Sequence, residues 1–233
     1  NMEENITPSK ALELLKEGNQ RFVDNTSKNR NLIEEAIKTS ERQEPIAVIL
    51  SCLDSRSSAD IIFDQPIGGV FSARVAGNIV NDDILGSMEF ACVASTAKLV
   101  MVIGHTSCGA IKGACNGVEL GNLTGLLEKI QPAIDSVKKP TKQKERNGDN
   151  VKFVNKVTKK NVILTMDNIR ERSELLHNLE KEGKIMIVGG VHDLSTGKIN
   201  YIEAPSSSLK DGGYNVGPGR SEDNYRYDMG GSY

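Results

Sequence analysis

The sequence predicts an α/β fold, a mainly parallel β-sheet flanked by helices and preceded by a helical arm. The runs Ile46–Leu50, Leu99–Ile103 and Ile185–Val188 are short, continuous and rich in Ile and Val, which is the pattern of strands buried on both faces. Longer stretches with apolar residues at helical spacing lie between them. Strand and helix therefore alternate along the chain, as parallel sheets require. At 233 residues the chain is one ordinary domain in length. Such a chain buries roughly 70–75% of its unfolded surface, so a core here needs neither disulfide nor metal to hold it.

Thr7 before Pro8 reads as an N-cap with proline in the first turn, opening a helix through Leu12, Leu15 and Phe22. Residues 1–42 form this arm, which precedes the sheet and is expected to pack on a partner subunit. After the first strand, Asp83 to Lys98 carries Ile84, Met88, Ala91 and Cys92 on one helical face, and Leu123 to Val137 carries Leu126, Leu127, Ile130 and Ile134. The stretch KKPTKQKERNGDN from Lys138 to Asn150 is almost free of apolar residues, so it is a solvated loop whose charges serve solubility. Helical patterning resumes from Val151 to Leu179 and ends at Gly183. Ser195-Thr196-Gly197 and the segment Lys198 to Glu203 then read as a hairpin back onto the sheet. Residues 1–204 thus make a single domain. The tail 205–233, dense in Gly, Ser, Asp and Tyr, has no core pattern and is expected to be extended or disordered.

Charge and composition exclude several classes. With 29 basic and 31 acidic side chains the formal charge is −2, and no aromatic-plus-basic patch stands out, so nucleic acid is not an expected partner. No apolar run approaches the ~20 residues of a membrane span, and no signal peptide is visible. Cytoplasm is the default location, with export after loss of an unseen leader left open. Asn1 before Met2 reads as a tag scar or a processed start. Four cysteines, Cys52, Cys92, Cys108 and Cys115, suit thiols or metal ligands better than a disulfide framework.

Cys52 directly follows the first buried strand, and His105 and Cys108 directly follow the second. Ligands of parallel sheets sit at strand carboxyl ends, so these three side chains can meet at one point. Two thiolates and one imidazole are a zinc set, and three protein ligands leave a fourth position open, as in catalytic sites. Cys115, seven residues beyond Cys108, would sit two helical turns or about 10 Å away and is excluded. A His-x-x-Cys pair alone reads more readily as a buried thiol and a turn histidine than as zinc ligands. Asp54 and Arg56 add weight to zinc: an extended Cys52-Leu53-Asp54 puts the carboxylate on the side of the thiol, and Arg56 can hold it ionised. His177 reads as a helix-surface histidine. His192 follows the third strand, where a structural hydrogen bond to the next turn competes with a proton-shuttle role. Cys92 and Cys115 read as small core residues.

Taken in order, Cys52-Leu53-Asp54-Ser55-Arg56, Arg74-Val75-Ala76-Gly77-Asn78, Gly104-His105-Thr106-Ser107-Cys108-Gly109 and Asp193-Leu194-Ser195-Thr196-Gly197 give a chain that resembles the β-class carbonic anhydrases from about residue 43 to 203. The resemblance implies one Zn2+ per chain on Cys52, His105 and Cys108, and reversible hydration of CO2 to bicarbonate by attack of zinc-bound hydroxide, with an Asp54-Arg56 dyad orienting the hydroxide. It implies substrate-side positions at Gln43, Phe71, Ala76, Phe90 and the Gly109 backbone. It also implies a homodimer or larger homo-oligomer whose N-terminal helices lie across the neighbour. Family members with a closed, aspartate-ligated zinc and bicarbonate regulation carry Trp, Arg and Tyr at positions that fall at Ile49, Arg74 and His192, where only Arg74 fits. Gln43 matches the open kind, so an open site without bicarbonate inhibition is expected. Two rivals remain: a sister hydrolase acting on carbon disulfide or carbonyl sulfide at the same zinc site, and a non-catalytic α/β module whose thiols serve redox sensing.

Overall fold

The computed structural model describes residues 6–203 together with Arg226 and Tyr227. A six-stranded sheet runs in the order β2-β1-β3-β4-β5-β6. Its strands are β1 (Ala47–Ser51), β2 (Val70–Arg74), β3 (Leu99–His105), β4 (Met186–His192), β5 (Ile199–Glu203) and β6 (Arg226–Tyr227). The first four are mutually parallel, with Ser51 beside both Arg74 and Ile103, and His105 beside His192. β5 returns antiparallel after the 195–197 turn, and β6 pairs antiparallel with β5. The rest of the expected extended or disordered tail lies outside the described residues.

The three apolar runs become β1, β3 and β4, and every residue of β1 and β3 is buried. β2 was not legible as a strand. It is an edge strand with alternating burial, so Val-Phe-Ser-Ala-Arg lacks the continuous apolar run of a central strand.

Helices cover both faces. On one side lie α1 (Pro8–Val23) and α3 (Ala59–Ile62), whose Ala11, Leu15, Ala59 and Ile62 pack with Ile49, Met101 and Ile103. Thr7 caps α1 by accepting from the Lys10 amide, with Pro8 in the first turn. The apolar face of this helix is buried on the chain's own sheet. Asn19 fixes it there by donating to the Ile62 and Gly197 carbonyls and accepting from the Ile199 amide. The next helix, α2 (Leu32–Lys38), buries none of its residues.

On the other face, α4 (Asp82–Glu89) starts at Asn81, whose side chain accepts from the Ile84 amide, and continues as a wide π turn over Phe90–Ala94. The helix therefore ends before Lys98, as Thr96 turns back to donate to the Pro45 carbonyl. The expected helix from 123 to 137 is two, α6 (Gly121–Glu128) and α7 (Gln131–Ser136), following α5 (Gly109–Cys115). The break precedes Pro132, which has no N–H to donate to the Glu128 carbonyl and sits instead in the first turn of α7. The stretch 151–179 likewise divides into α8 (Val151–Arg172) and α9 (Glu174–Lys181), because Ser173 leaves the helix to cap the Leu176 amide. In the charged loop, Arg146 does more than solubilise: it donates to the carbonyls of Ile134, Val137 and Pro140.

α8 lies close on β3 and β4 because glycines face it. A methyl group at Gly104 or Gly189 would come within 2.9 or 2.7 Å of Val162. Among the described residues, no helix is long and apolar enough to cross a membrane.

Gly18 on α1 is the tightest of these approaches, since a Cβ there would lie 1.8 Å from the Phe63 carbonyl oxygen. Gly18→Ala should therefore destabilise the fold by about 3 kcal/mol. Gly125, mid-α6 with nothing within 4 Å of an added Cβ, should instead tolerate alanine with a gain of up to ~1 kcal/mol. Urea midpoints at constant m check both, and equal midpoints for the two variants would contradict this packing.

Candidate metal centre

β1 and β3 are adjacent parallel strands, so their carboxyl ends open side by side. The chain leaves β1 at Cys52, ends β3 on His105 and enters α5 after Cys108. Ser107, at φ +55°, adopts the left-handed conformation that turns Cys108 back beneath His105, at a local cost of about 1 kcal/mol or more. One ligand atom from each of Cys52, His105 and Cys108 lies within 4.8 Å of the others, and all three residues are buried.

His105 is prepared to ligate. Its Nδ1 lies 2.7 Å from the Thr106 carbonyl oxygen, which can only accept, so Nδ1 carries the proton and Nε2 presents a lone pair. That Nε2 is buried with no hydrogen-bond partner. A second-nitrogen hydrogen bond of this kind fixes the tautomer of metal-binding imidazoles.

The sulfurs of Cys52 and Cys108 are 3.9 Å apart. The hydrogen bond from Cys108 draws the Cys52 thiol well below the ordinary thiol range against the effect of burial, with help from the Gly77 amide. The same hydrogen bond, together with burial and the charge on Cys52, pushes Cys108 upward. The pair thus shares one proton, and ionising both sulfurs needs a cation between them. Donor chemistry, burial and the orphaned Nε2 all fit a zinc ion.

Asp54 stands at the rim, with Oδ2 3.8 Å from His105 Nε2. Arg56 grips both oxygens: Nε and the backbone amide reach Oδ1 at 2.9 Å, and a terminal nitrogen reaches Oδ2 at 2.7 Å. These bonds hold the Asp54 carboxyl well below the usual carboxylate range.

The backbone beneath the dyad is pinned by residues whose roles the sequence did not disclose. Arg74, at the end of β2, donates from Nε to the Cys52 carbonyl at 3.0 Å and from a terminal nitrogen to the Asp54 carbonyl. Ser57 donates its amide to the Asp54 carbonyl at 3.1 Å. Its hydroxyl lies 2.9 Å from Nδ1 of buried His192. His192 therefore binds Ser57 rather than the turn after β4, which Asp193 holds through Ser195. The resemblance marks Arg74 as a motif position without disclosing these backbone bonds, and Ser57 offers no signal of its own.

The remaining candidates divide. Ala76 adjoins Gly77, whose amide donates to Cys52 Sγ at 3.4 Å. Gly77 has φ +70° and room for no Cβ, with Ile130 at 2.7 Å. Gly109 follows Cys108 at the start of α5. Gln43, Phe71 and Phe90 are not brought to the cluster within one chain. Gln43 precedes β1 at the opposite end of the strand, five strand residues or about 16 Å away. Phe71 pairs with Val48, four residues down from Cys52. Its ring meets Phe90 edge-on at 6.0 Å, in a separate groove of about 670 Å³ that Ile84 also lines. Ile49 is core, and His177 is half-buried on α9. Cys92 and Cys115 lie apart as half-buried thiols, pushed up by burial to about 12 and about 11.

The family model described as "Carbonic anhydrase" matches residues 47–199. Carbonic anhydrase 2 of Mycobacterium tuberculosis is 31% identical over 200 residues, covering 83% of this chain and 92% of that protein. Among solved structures, the β-carbonic anhydrase of Coccomyxa superposes with TM-score 0.64 at 24% identity, covering 82% of this chain and 86% of its own. One from Sordaria macrospora, described as tetrameric, superposes with TM-score 0.60 at 20% identity, covering 72% and 89%. The chain therefore belongs to the carbonic anhydrase family and carries the β-carbonic anhydrase fold.

Proposed function

We propose that this chain catalyses the zinc-dependent, reversible hydration of CO2 to bicarbonate and a proton, with one zinc held by Cys52, His105 and Cys108. The observation that carries this reading is the convergence of two sulfurs and an unpartnered imidazole nitrogen beside a carboxylate kept ionised by Arg56. Zinc, when bound, supplies a Lewis acid that makes water nucleophilic near neutral pH, for which carbonic anhydrase in its three-histidine form is the standard example.

The chain's own residues do the rest. Asp54 is ionised and acceptor-only, so it takes a hydrogen bond from the attacking oxygen and aims that atom's remaining lone pair at the CO2 carbon. Arg56 occupies both carboxylate oxygens from the solvent side, which supports Asp54 as a hydrogen-bond acceptor rather than a ligand and so supports the open kind. Arg74, the one match to the closed kind's triad, is engaged with backbone carbonyls. Ala76 and the Gly109 amide flank the cluster and are assigned to the substrate side, where a fixed N–H stabilises negative charge developing on bicarbonate oxygens. A homodimer or larger assembly is supported by α2, which leaves Leu32, Ile33 and Ile37 exposed on one short helix. The comparisons favour neither the carbon disulfide and carbonyl sulfide hydrolase nor the thiol redox module.

Purified protein should contain one zinc per chain by elemental analysis, lose most of it on Cys52→Ser or Cys108→Ser, and keep it on Cys115→Ser. Asp54→Asn preserves shape while weakening the acceptor; its turnover in stopped-flow CO2 hydration should fall by about 10²–10³ with zinc retained. Unchanged turnover would remove Asp54 from the mechanism.

Two thiolate ligands leave the ion less positive than neutral imidazoles do, so hydration should rise from about pH 7 towards 9. Asp54 is ionised throughout that window, because its carboxyl titrates below the ordinary carboxylate range, and it adds no inflection. A flat profile between about pH 6.5 and 9 would contradict the assignment.

A further inference from the structure

The segment from Cys52 to Ser57 has to present Asp54 to the cluster although it is a loop. Arg56 cannot anchor it, since that side chain is itself 56% exposed. Arg74 pins the near end through two backbone carbonyls. The far end is tied by Ser57, which is 1% exposed, to His192, which is 2% exposed.

This tie crosses the sheet. Ser57 follows β1, and His192 ends β4, with β3 between them. His192 is the register partner of His105, and its carbonyl accepts from the Thr106 amide at 3.0 Å. The bond therefore bridges the carboxyl end of the strand that supplies the imidazole of the cluster. It links in one circuit the His105 strand end, His192, Ser57 and the turn whose Asp54 faces His105. Phe22 of α1 packs edge-on against the His192 ring at 6.5 Å, so the anchor has little freedom to swing. Burial also holds His192 neutral at neutral pH, as suits a fixed hydrogen-bond partner.

We propose that Ser57 and His192 are positioning residues: their hydrogen bond straps the Asp54-Arg56 turn across β3 and sets the carboxylate over the Cys52, His105 and Cys108 cluster. This rests on the reading of Asp54 given above. Neither residue touches the reacting atoms, and both act through Asp54.

The test measures kcat, KM, zinc content and thermal midpoint for Ser57→Ala, His192→Phe, the double variant, and Ser57→Ala combined with Asp54→Asn. A misplaced group of this kind costs about tenfold or more in rate. Ser57→Ala and His192→Phe should each lower kcat by about that factor, with KM within about twofold and zinc unchanged. The double variant should be no slower than the slower single one. In the Asp54→Asn background, Ser57→Ala should lower the thermal midpoint as before yet leave kcat where Asp54→Asn put it. His192→Asn, which places a polar atom near the Nδ1 position, should recover most of the lost turnover. Should His192→Phe fail to fold, Ser57→Ala and its Asp54→Asn combination decide the matter alone. Parent-like turnover of Ser57→Ala beside a crippled Asp54→Asn overturns the strap. So does a further loss of kcat when the two are combined. Full turnover of Asp54→Asn itself overturns the dyad reading, and the strap falls with it.

Discussion

Two buried sulfurs 3.9 Å apart cannot both be thiolates unless positive charge lies between them, and the surroundings of the cluster follow from that constraint. The Gly77 amide points at Cys52, and the Asp54 carboxylate, which would add to the negative charge, has its own charge countered by Arg56 on the solvent side. His105 adds a neutral donor whose tautomer the Thr106 carbonyl fixes. Every group near the sulfurs is thus neutral, a donor or externally compensated. A site of this composition favours a dication over a proton because one ion satisfies both thiolates and the orphaned imidazole nitrogen.

The sheet makes that arrangement possible by geometry rather than by local sequence. Adjacent parallel strands end at the same level, so Cys52 and His105 meet although 53 positions separate their numbers. Close packing behind the strands keeps the ends in register: Gly104 and Gly189 admit α8 against β3 and β4, and Asn161 of α8 donates to the Gly77 carbonyl at 2.8 Å. The long helix therefore supports both the strand that ends on His105 and the turn whose amide reaches Cys52.

This division explains what could be read from the chain. The three central strands are legible because burial on both faces writes a continuous apolar run, and the meeting of Cys52, His105 and Cys108 because strand ends place thiols and imidazole in predictable positions. β2 was missed since an edge strand needs apolar residues on one face only. Helix breaks at Lys129–Ile130 and Ser173 were overrun because the apolar spacing continues across them, and only capping and proline geometry interrupts it. Nothing in the pattern of α1 says which surface its apolar face meets; Asn19 decides that through three bonds to distant backbone. Gln43, Phe71 and Phe90 were named from resemblance alone, and within one chain the strand direction puts them away from the cluster.

The least legible part is the loop 52–57, and here local and long-range forces have to cooperate. Asp54 and Arg56 are two residues apart and pair with each other whatever the fold does, so the dyad could form in many orientations of the turn. What makes it useful is where the turn points, and that is set by atoms remote in sequence: Arg74 from β2 on one flank and His192 from β4 on the other. Neither contact requires an unusual residue at the loop itself, and a serine hydroxyl suffices at position 57. Orientation of the Asp54 carboxylate is thereby assigned to two strands that supply neither Cys52 nor His105 nor Cys108. Four adjacent strands, from the β2 edge to β4, then become part of the site.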